Sequence, residues 1–154
     1  MTTGEQTGQP RDEPAPRNQR PEEAADEAVA AAGKLSEALE TTERARGHLY
    51  SFHQLTGHAD LTLDDAIGLL RSAGRNDLAE ELSRELVGRN VLAGRWTFQI
   101  IEEYDEGYYR DFRRMEQRVR DELVGGRTHV LEAEMKERRR TRGRPGHGAC
   151  PSAG

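Results

Sequence analysis

Apolar residues return along much of this chain at steps of three and four, the spacing that lines one face of a helix. Ala28, Ala32, Leu35, Leu39, Thr42, Arg46 and Leu49 make the first stripe, and no proline interrupts the chain from Pro21 to about Gly57. The pattern predicts a long helix. Pro21 suits its first turn, with Glu22 and Glu23 beside the positive helix end. The stripe is alanine-rich at its start and broken by Thr42 and Arg46, so it is not a clean coiled-coil seam. A turn is expected over Gly57–Leu61, with Thr62 and Asp65 as a capping box for a short helix carrying Leu63, Ile67 and Leu70 and stopping at Gly74. Asn76 can cap a further helix bearing Leu78, Leu82, Leu86 and Val87, which Gly88 would end. These two short helices form a hairpin.

The strongest pattern follows. From Val91 or Arg95 to Leu123, the residues Ile101, Tyr104, Tyr108, Phe112, Met115, Val119 and Leu123 share one face. Six of the eight aromatic residues lie between Trp96 and Phe112. Aromatic side chains bury the most area each, so the core is expected there. Gly107 weakens this helix by about 1 kcal/mol relative to alanine. Gly125 and Gly126 end it, and Thr128 can cap a last helix from about His129 to Arg140, whose charged end should fray. No alternating strand pattern occurs. The fold class is all-α, a small helical bundle or hairpin assembly with two long helices.

The ends read differently. Residues 1–20 hold Pro10, Pro14 and Pro16 with no large apolar residue after Met1, and residues 143–154 are rich in glycine and proline. Segments that bury so little cannot offset their ordering entropy. The expected organisation is a disordered tail over 1–20, a helical domain over 21–140 and a disordered tail over 141–154.

Composition sharpens this picture. Only 34% of the 154 residues are hydrophobic and 33% are charged, which argues against a large self-sufficient core and for a thin helical bundle or an assembly that borrows core from a partner. The net charge of −5 conceals an asymmetry: residues 1–27 carry −4 and residues 136–144 carry +5. No stretch is apolar enough to span a bilayer, no signal peptide is visible, and the single Cys150 cannot form an internal disulfide, so the expected location is the cytoplasm.

Candidate chemistry is sparse. Glu102, Glu103, Asp105, Glu106 and Asp111 crowd one helix, but no histidine has a glutamate three positions before it, as helical di-iron sites require. A solvated acidic face is the simpler reading. His48, His53 and His58 recur every five residues, which turns each side chain about 140° from the last. They cannot converge on one ion. His147 and Cys150 lack the second ligand pair of a zinc site. No nucleophile elbow, phosphate loop or dinucleotide fingerprint is present. The expectation is a protein without catalytic residues, cofactor or metal. Tyr108 and Tyr109 are neighbours and point to different faces, so one of them is a candidate partner contact.

The basic end carries the most specific pattern. Arg142, Gly143, Arg144 and Pro145 follow Arg138, Arg139 and Arg140. The four residues R-G-R-P resemble the core of an AT-hook, with Thr141 where a proline usually precedes the first arginine. That resemblance implies arginines inserted into a narrow A·T-rich minor groove, with flanking arginines on phosphates. Whole phrases such as GRWTFQIIEEYDEGYYRDF, with arginine almost to the exclusion of lysine, resemble the small helical proteins of GC-rich actinobacteria. The sequence therefore leads to a non-enzymatic helical interaction or assembly protein that binds a protein partner or itself. The alternative is a DNA-binding accessory protein using residues 136–145.

Overall fold

The computed structural model describes residues 12–150. It is all-α. Helix α1 spans Asp26–Ser72, α2 Asn76–Glu85, α3 Thr97–Tyr104, α4 Arg110–Val124 and α5 Val130–Arg139. A π-helical turn, Asp105–Tyr109, joins α3 to α4, and a 3₁₀ turn covers Pro16–Asn18. The one extended pairing among the described residues is an isolated bridge between Leu92 and Arg95. Contacts divide the chain into two compact units. One comprises the residues up to Ala38 with those from Arg114, the other Leu39–Arg113.

The first unit has a small aliphatic core of Val29, Ala32, Val124 and Val130, with Ala24 packed against it. Each buried valine contributes about 1.5–3 kcal/mol. Gly33 lets α1 approach α5 closely, since a Cβ there would lie 2.9 Å from Leu131 Cδ2. Glu116 is also buried; it accepts from Ser36 Oγ at 2.9 Å and from Arg120 Nε at 3.0 Å. Arg120 in turn donates to the Gly126 carbonyl at 2.9 Å, just after the helix ends. Gly125 and Gly126 have φ of 61° and 73°, so they stop α4 as expected.

In the second unit α1 and α3 run antiparallel. Going up α1, Thr42 O accepts from Tyr104 Oη, Arg46 binds Asp105, and His53 Nδ1 meets Thr97 Oγ1 at 2.6 Å. Gly74, with φ of 74°, turns the chain after α1. Helix α2 then folds back. Arg71 pairs with Glu80 at 3.1 Å, and the Gly88 amide donates to Asp60 Oδ1 at 2.8 Å. A hairpin is present, but its first arm is the end of the 47-residue α1 and not the separate short helix expected.

Several boundaries differ from expectation. Pro21 starts a turn closed by Ala24 N–H, and α1 begins at Asp26. No turn breaks it at Gly57–Leu61. Its sheltered positions continue as His53, Thr56, Asp60, Leu63, Ile67 and Leu70, so packing continues the stripe through the glycine. Thr62 is therefore mid-helix, and its hydroxyl bonds back to the His58 carbonyl at 2.8 Å instead of capping. Asn76 is the first residue of α2 and not its cap. Val91–Arg95 is a tight turn, with Gly94 at φ of 76°, and α3 starts only at Thr97. At α5 the left-handed His129 precedes the helix, while the backbone of Thr128 pairs with Arg17 O and Asn18 Nδ2.

The aromatic helix departs most. Its π turn accommodates one extra residue, which shifts the inward face. Beyond it the sheltered positions are Tyr109, Phe112, Glu116, Val119, Arg120 and Val124, while Tyr108, Met115 and Leu123 are exposed. Nor is the aromatic stretch the core: Trp96 is 69% exposed and Tyr108 60%. Its aromatics occupy several faces, and the α1 contacts of Thr97, Tyr104 and Asp105 lie along only one side. The buried cluster is built instead from small aliphatic residues.

Gly57 offers a sign-sensitive check on the unbroken helix. A Cβ at Gly57 meets nothing within 4 Å. Gly57→Ala is expected to raise stability by about 0.5–1 kcal/mol in urea unfolding, because alanine is the better helix former. A loss of stability would mean that residue 57 turns the chain.

Candidate interaction surfaces

The π turn builds the most elaborate side-chain cluster of the second unit. It places Asp105 and Tyr109 together against α1. Arg46 donates to both oxygens of Asp105, Nε at 2.5 Å and Nη2 at 2.8 Å, the two-pronged geometry that makes such pairs strong. Its guanidinium lies 5.0 Å from the Tyr50 ring centre and 5.7 Å from that of Tyr109. Arg113 lies 5.6 Å from the same Tyr109 ring, whose hydroxyl donates to Glu43 at 3.0 Å. The Arg46 hydrogen bonds hold the Asp105 carboxyl below the usual carboxylate range, and Asp105 raises Arg46 further. Burial, then the bond to Glu43, pushes the Tyr109 phenol up. Tyr109 is thus the structural member of the tyrosine pair, and Tyr108 is the one that faces solvent.

A second surface surrounds the α2–α3 connection. Val91 is 51% exposed, and Leu92, Trp96 and Phe98 are also exposed beside Arg89 and Arg95. The Trp96 and Phe98 rings lie 5.6 Å apart. Gln99 Oε1 accepts from the Trp96 amide at 2.8 Å and so fixes the entry to α3. An open groove of about 450 Å³, lined by Leu70, Leu78, Leu82 and Leu86 with Glu81 and Glu85, lies along α2. Sequence periodicity placed Val91 and Trp96 within or beside a helix and so did not single out this exposed turn.

The basic segment is divided in its roles. Arg140 has no exposed side chain. It donates to Glu137 from Nε at 2.5 Å and from Nη2 at 3.1 Å, to Asp12 Oδ2 at 2.5 Å, to Asp12 O at 2.8 Å and to His147 O at 3.2 Å. Asp12 also accepts from the Ala149 amide, and Glu13 O from Cys150 Sγ. The described parts of the two terminal segments, 12–20 and 141–150, are thereby tied to each other and to α5. Charge pairing supplies what their apolar content does not. Residues 1–11 and 151–154, to which the expectation of disorder also applied, lie outside the described residues. Arg138, Arg139, Arg142 and Arg144 are exposed, with Arg142 3.2 Å from Glu137. Thr141–Arg144 is a turn closed by Arg144 N–H on Thr141 O, with Gly143 at φ of 76°, and Pro145 follows it.

Comparison with known proteins yields no match among family models, curated proteins or solved structures. Among the described residues no three His, Cys, Asp or Glu side chains are placed to share a metal ion. Among the same residues no helix is long and apolar enough to cross a membrane.

The ion pairs set an acid limit. The carboxyls of Asp105 and Glu134 are lowered first by the hydrogen bonds of Arg46 and Arg20; that of Glu137 by Arg140; that of Asp12 by the Ala149 amide and then Arg140. A carboxyl whose folded pKa lies below its unfolded one stabilises the fold fully above the unfolded value. That contribution disappears as pH falls through the folded value. Stability should therefore drop below about pH 4. Asp105→Asn should cost about 1–2 kcal/mol at neutral pH and flatten the acid drop. An acid profile identical to that of the parent chain would remove the pair from the account.

Proposed function

We propose that this chain is a non-enzymatic helical assembly protein that self-associates through residues 39–113. One observation carries the reading. Of the seventeen large hydrophobic residues exposed among the described residues, only Met115, Leu123, Leu131 and Met135 fall outside Leu39–Arg113. Exposed apolar side chains that stand together mark interaction sites, and Val91, Leu92, Trp96 and Phe98 do so at the α2–α3 turn, with the Trp96 and Phe98 rings 5.6 Å apart. Trp96, Tyr108 and the arginines around them are the residue types that carry most binding energy at interfaces. The small apolar fraction of the sequence points the same way, because burial that one chain cannot complete is completed by a second. Size-exclusion chromatography with light scattering is expected to give a dimer or larger species at micromolar concentration. A monomer at every concentration sinks the reading.

The exposure of Arg138, Arg139, Arg142 and Arg144 favours a second reading, attachment to DNA. Minor-groove binding of the R-G-R-P core requires the Thr141–Arg144 turn to open, since an inserted segment is extended. Arg140 would stay with Asp12 and Glu137 and act as the fixed end of the arm. Fluorescence anisotropy with A·T-rich and G·C-rich duplexes at two salt concentrations tests this. Preference for A·T, lost in Arg142→Ala/Arg144→Ala, supports it. Equal and weak binding to both duplexes reduces the segment to a basic surface.

A further inference from the structure

Charge is sorted along the second unit into one basic and one acidic stretch, which adjoin where Arg89 and Val91 line an open groove with Asp60 and Leu63, and whose outer residues face away from that groove. Between Glu85 and Glu102 the chain has no acidic residue, and it carries Arg89 and Arg95 there. This is the exposed turn of Val91, Leu92, Trp96 and Phe98. Between His58 and Arg71 the chain has no lysine or arginine, and it carries Asp60, Asp64 and Asp65. Asp60 is half-buried and accepts from the Gly88 amide. Asp64 and Asp65 are exposed, and beside them stand Leu61 and Leu69, 68% and 71% exposed. Leu61, Asp65 and Leu69 follow one another at steps of four, off the stripe His53–Thr56–Asp60–Leu63–Ile67–Leu70 that faces the rest of the unit. A third of all residues in this chain are charged, so stretches of one sign that coincide with its exposed apolar residues are a specific feature.

We infer that the basic turn Arg89–Phe98 of one copy docks on the acidic apolar face Leu61–Leu69 of α1 in a second copy. Trp96, Val91 and Leu92 would cover Leu61 and Leu69, and Arg89 and Arg95 would meet Asp64 and Asp65. The occupant follows from complementarity. Each surface offers an apolar centre with charges of one sign, and the same chain carries both. Arg95 already pairs with Glu103, through side chains 48% and 70% exposed. Water competes with such an exposed pair, so Arg95 gives up little when it leaves Glu103 for another carboxylate. The inference rests on the self-association proposed above and names its two faces.

Charge reversal separates the inference from that reading. The full chain would be made as Arg89→Glu/Arg95→Glu, as Asp64→Arg/Asp65→Arg, and with all four changes together. The first two variants place like charges across the contact, and each should weaken self-association by more than about a hundredfold. Mixing them, or combining all four changes in one chain, restores opposite charges and should restore association. Circular dichroism and thermal melting check that the variants fold, and recovery in the fourfold variant excludes simple damage. Association that persists in both paired variants overturns the inference and leaves self-association standing. Loss that neither mixing nor the fourfold variant recovers also overturns it. A monomeric parent chain overturns both. A monomeric parent that binds phosphatidylserine vesicles through Arg89 and Arg95 reassigns the basic turn to an anionic membrane surface.

Discussion

The second unit depends on one constraint: the sheltered stripe of α1 is polar in its middle. Thr42, Arg46, His53, Thr56 and Asp60 occupy positions where a helical hairpin would ordinarily bury aliphatic side chains. A sheltered polar group without a partner costs about 1–3 kcal/mol, and a charged one more. Every register of α3 against α1 that leaves Arg46 unmatched is therefore penalised. The observed register gives it both oxygens of Asp105, and gives His53 the Thr97 hydroxyl. Hydrophobic packing tolerates sliding along a stripe, whereas a two-pronged guanidinium–carboxylate pair does not. The π turn follows from the same demand. It brings Asp105 and Tyr109 onto one side, so that the guanidinium has a carboxylate at its edge and rings on its faces.

The same stripe explains what sequence could and could not disclose. Ala28, Ala32, Leu35, Leu39, Thr42, Arg46 and Leu49 are all sheltered on α1, so a period of three and four was legible even with Thr42 and Arg46 in it. The stops at Gly74, Gly125 and Gly126 were legible too, because each adopts the left-handed conformation that glycine accepts at low cost, whereas α2 ends at Glu85, before the left-handed Gly88. Gly57 carries the same letter without that conformation, and no local signal tells the two apart. Packing of the residues on either side decides it. The shifted face beyond Tyr104 had a faint signal in Gly107, which weakens a helix and permits a π turn without requiring one. Tyr108 and Tyr109 were correctly expected to face different ways. Which of them faces inward depends on the extra residue, which periodicity assumes away.

The candidate surfaces divide along the same line. Arg138, Arg139, Arg142 and Arg144 could be read as an exposed basic group from sequence alone, because nothing in their surroundings is apolar. Arg140 stands in the same run and has the opposite fate. Its partners are Glu137, one helical turn back, and Asp12, which is 128 positions away. The opposite charges of the two ends had two possible outcomes, mutual neutralisation or separate use. At Arg140 and Asp12 they neutralise locally, while the remaining arginines stay outside. Sequence could give the charge sum of each end but not the pairing, which depends on where the last turn of α5 meets the start of the chain.

A thin core has a further consequence. The first unit closes around four small aliphatic residues and a buried Glu116 matched by Ser36 and Arg120. The second unit buries Ile67, Ala79 and Ile101 and leaves its larger side chains, Trp96 and Tyr108 among them, in solvent. Small residues let helices approach, so they suit the interior of a bundle with few layers. Large aromatics enter such an interior only in part, as Tyr104, Tyr109 and Phe112 do. The surplus apolar area therefore lies at the surface of the second unit. Its location follows from the hydrogen-bonded register, since fixing Thr97 against His53 also fixes Trp96 one residue earlier, at the mouth of the α2–α3 turn.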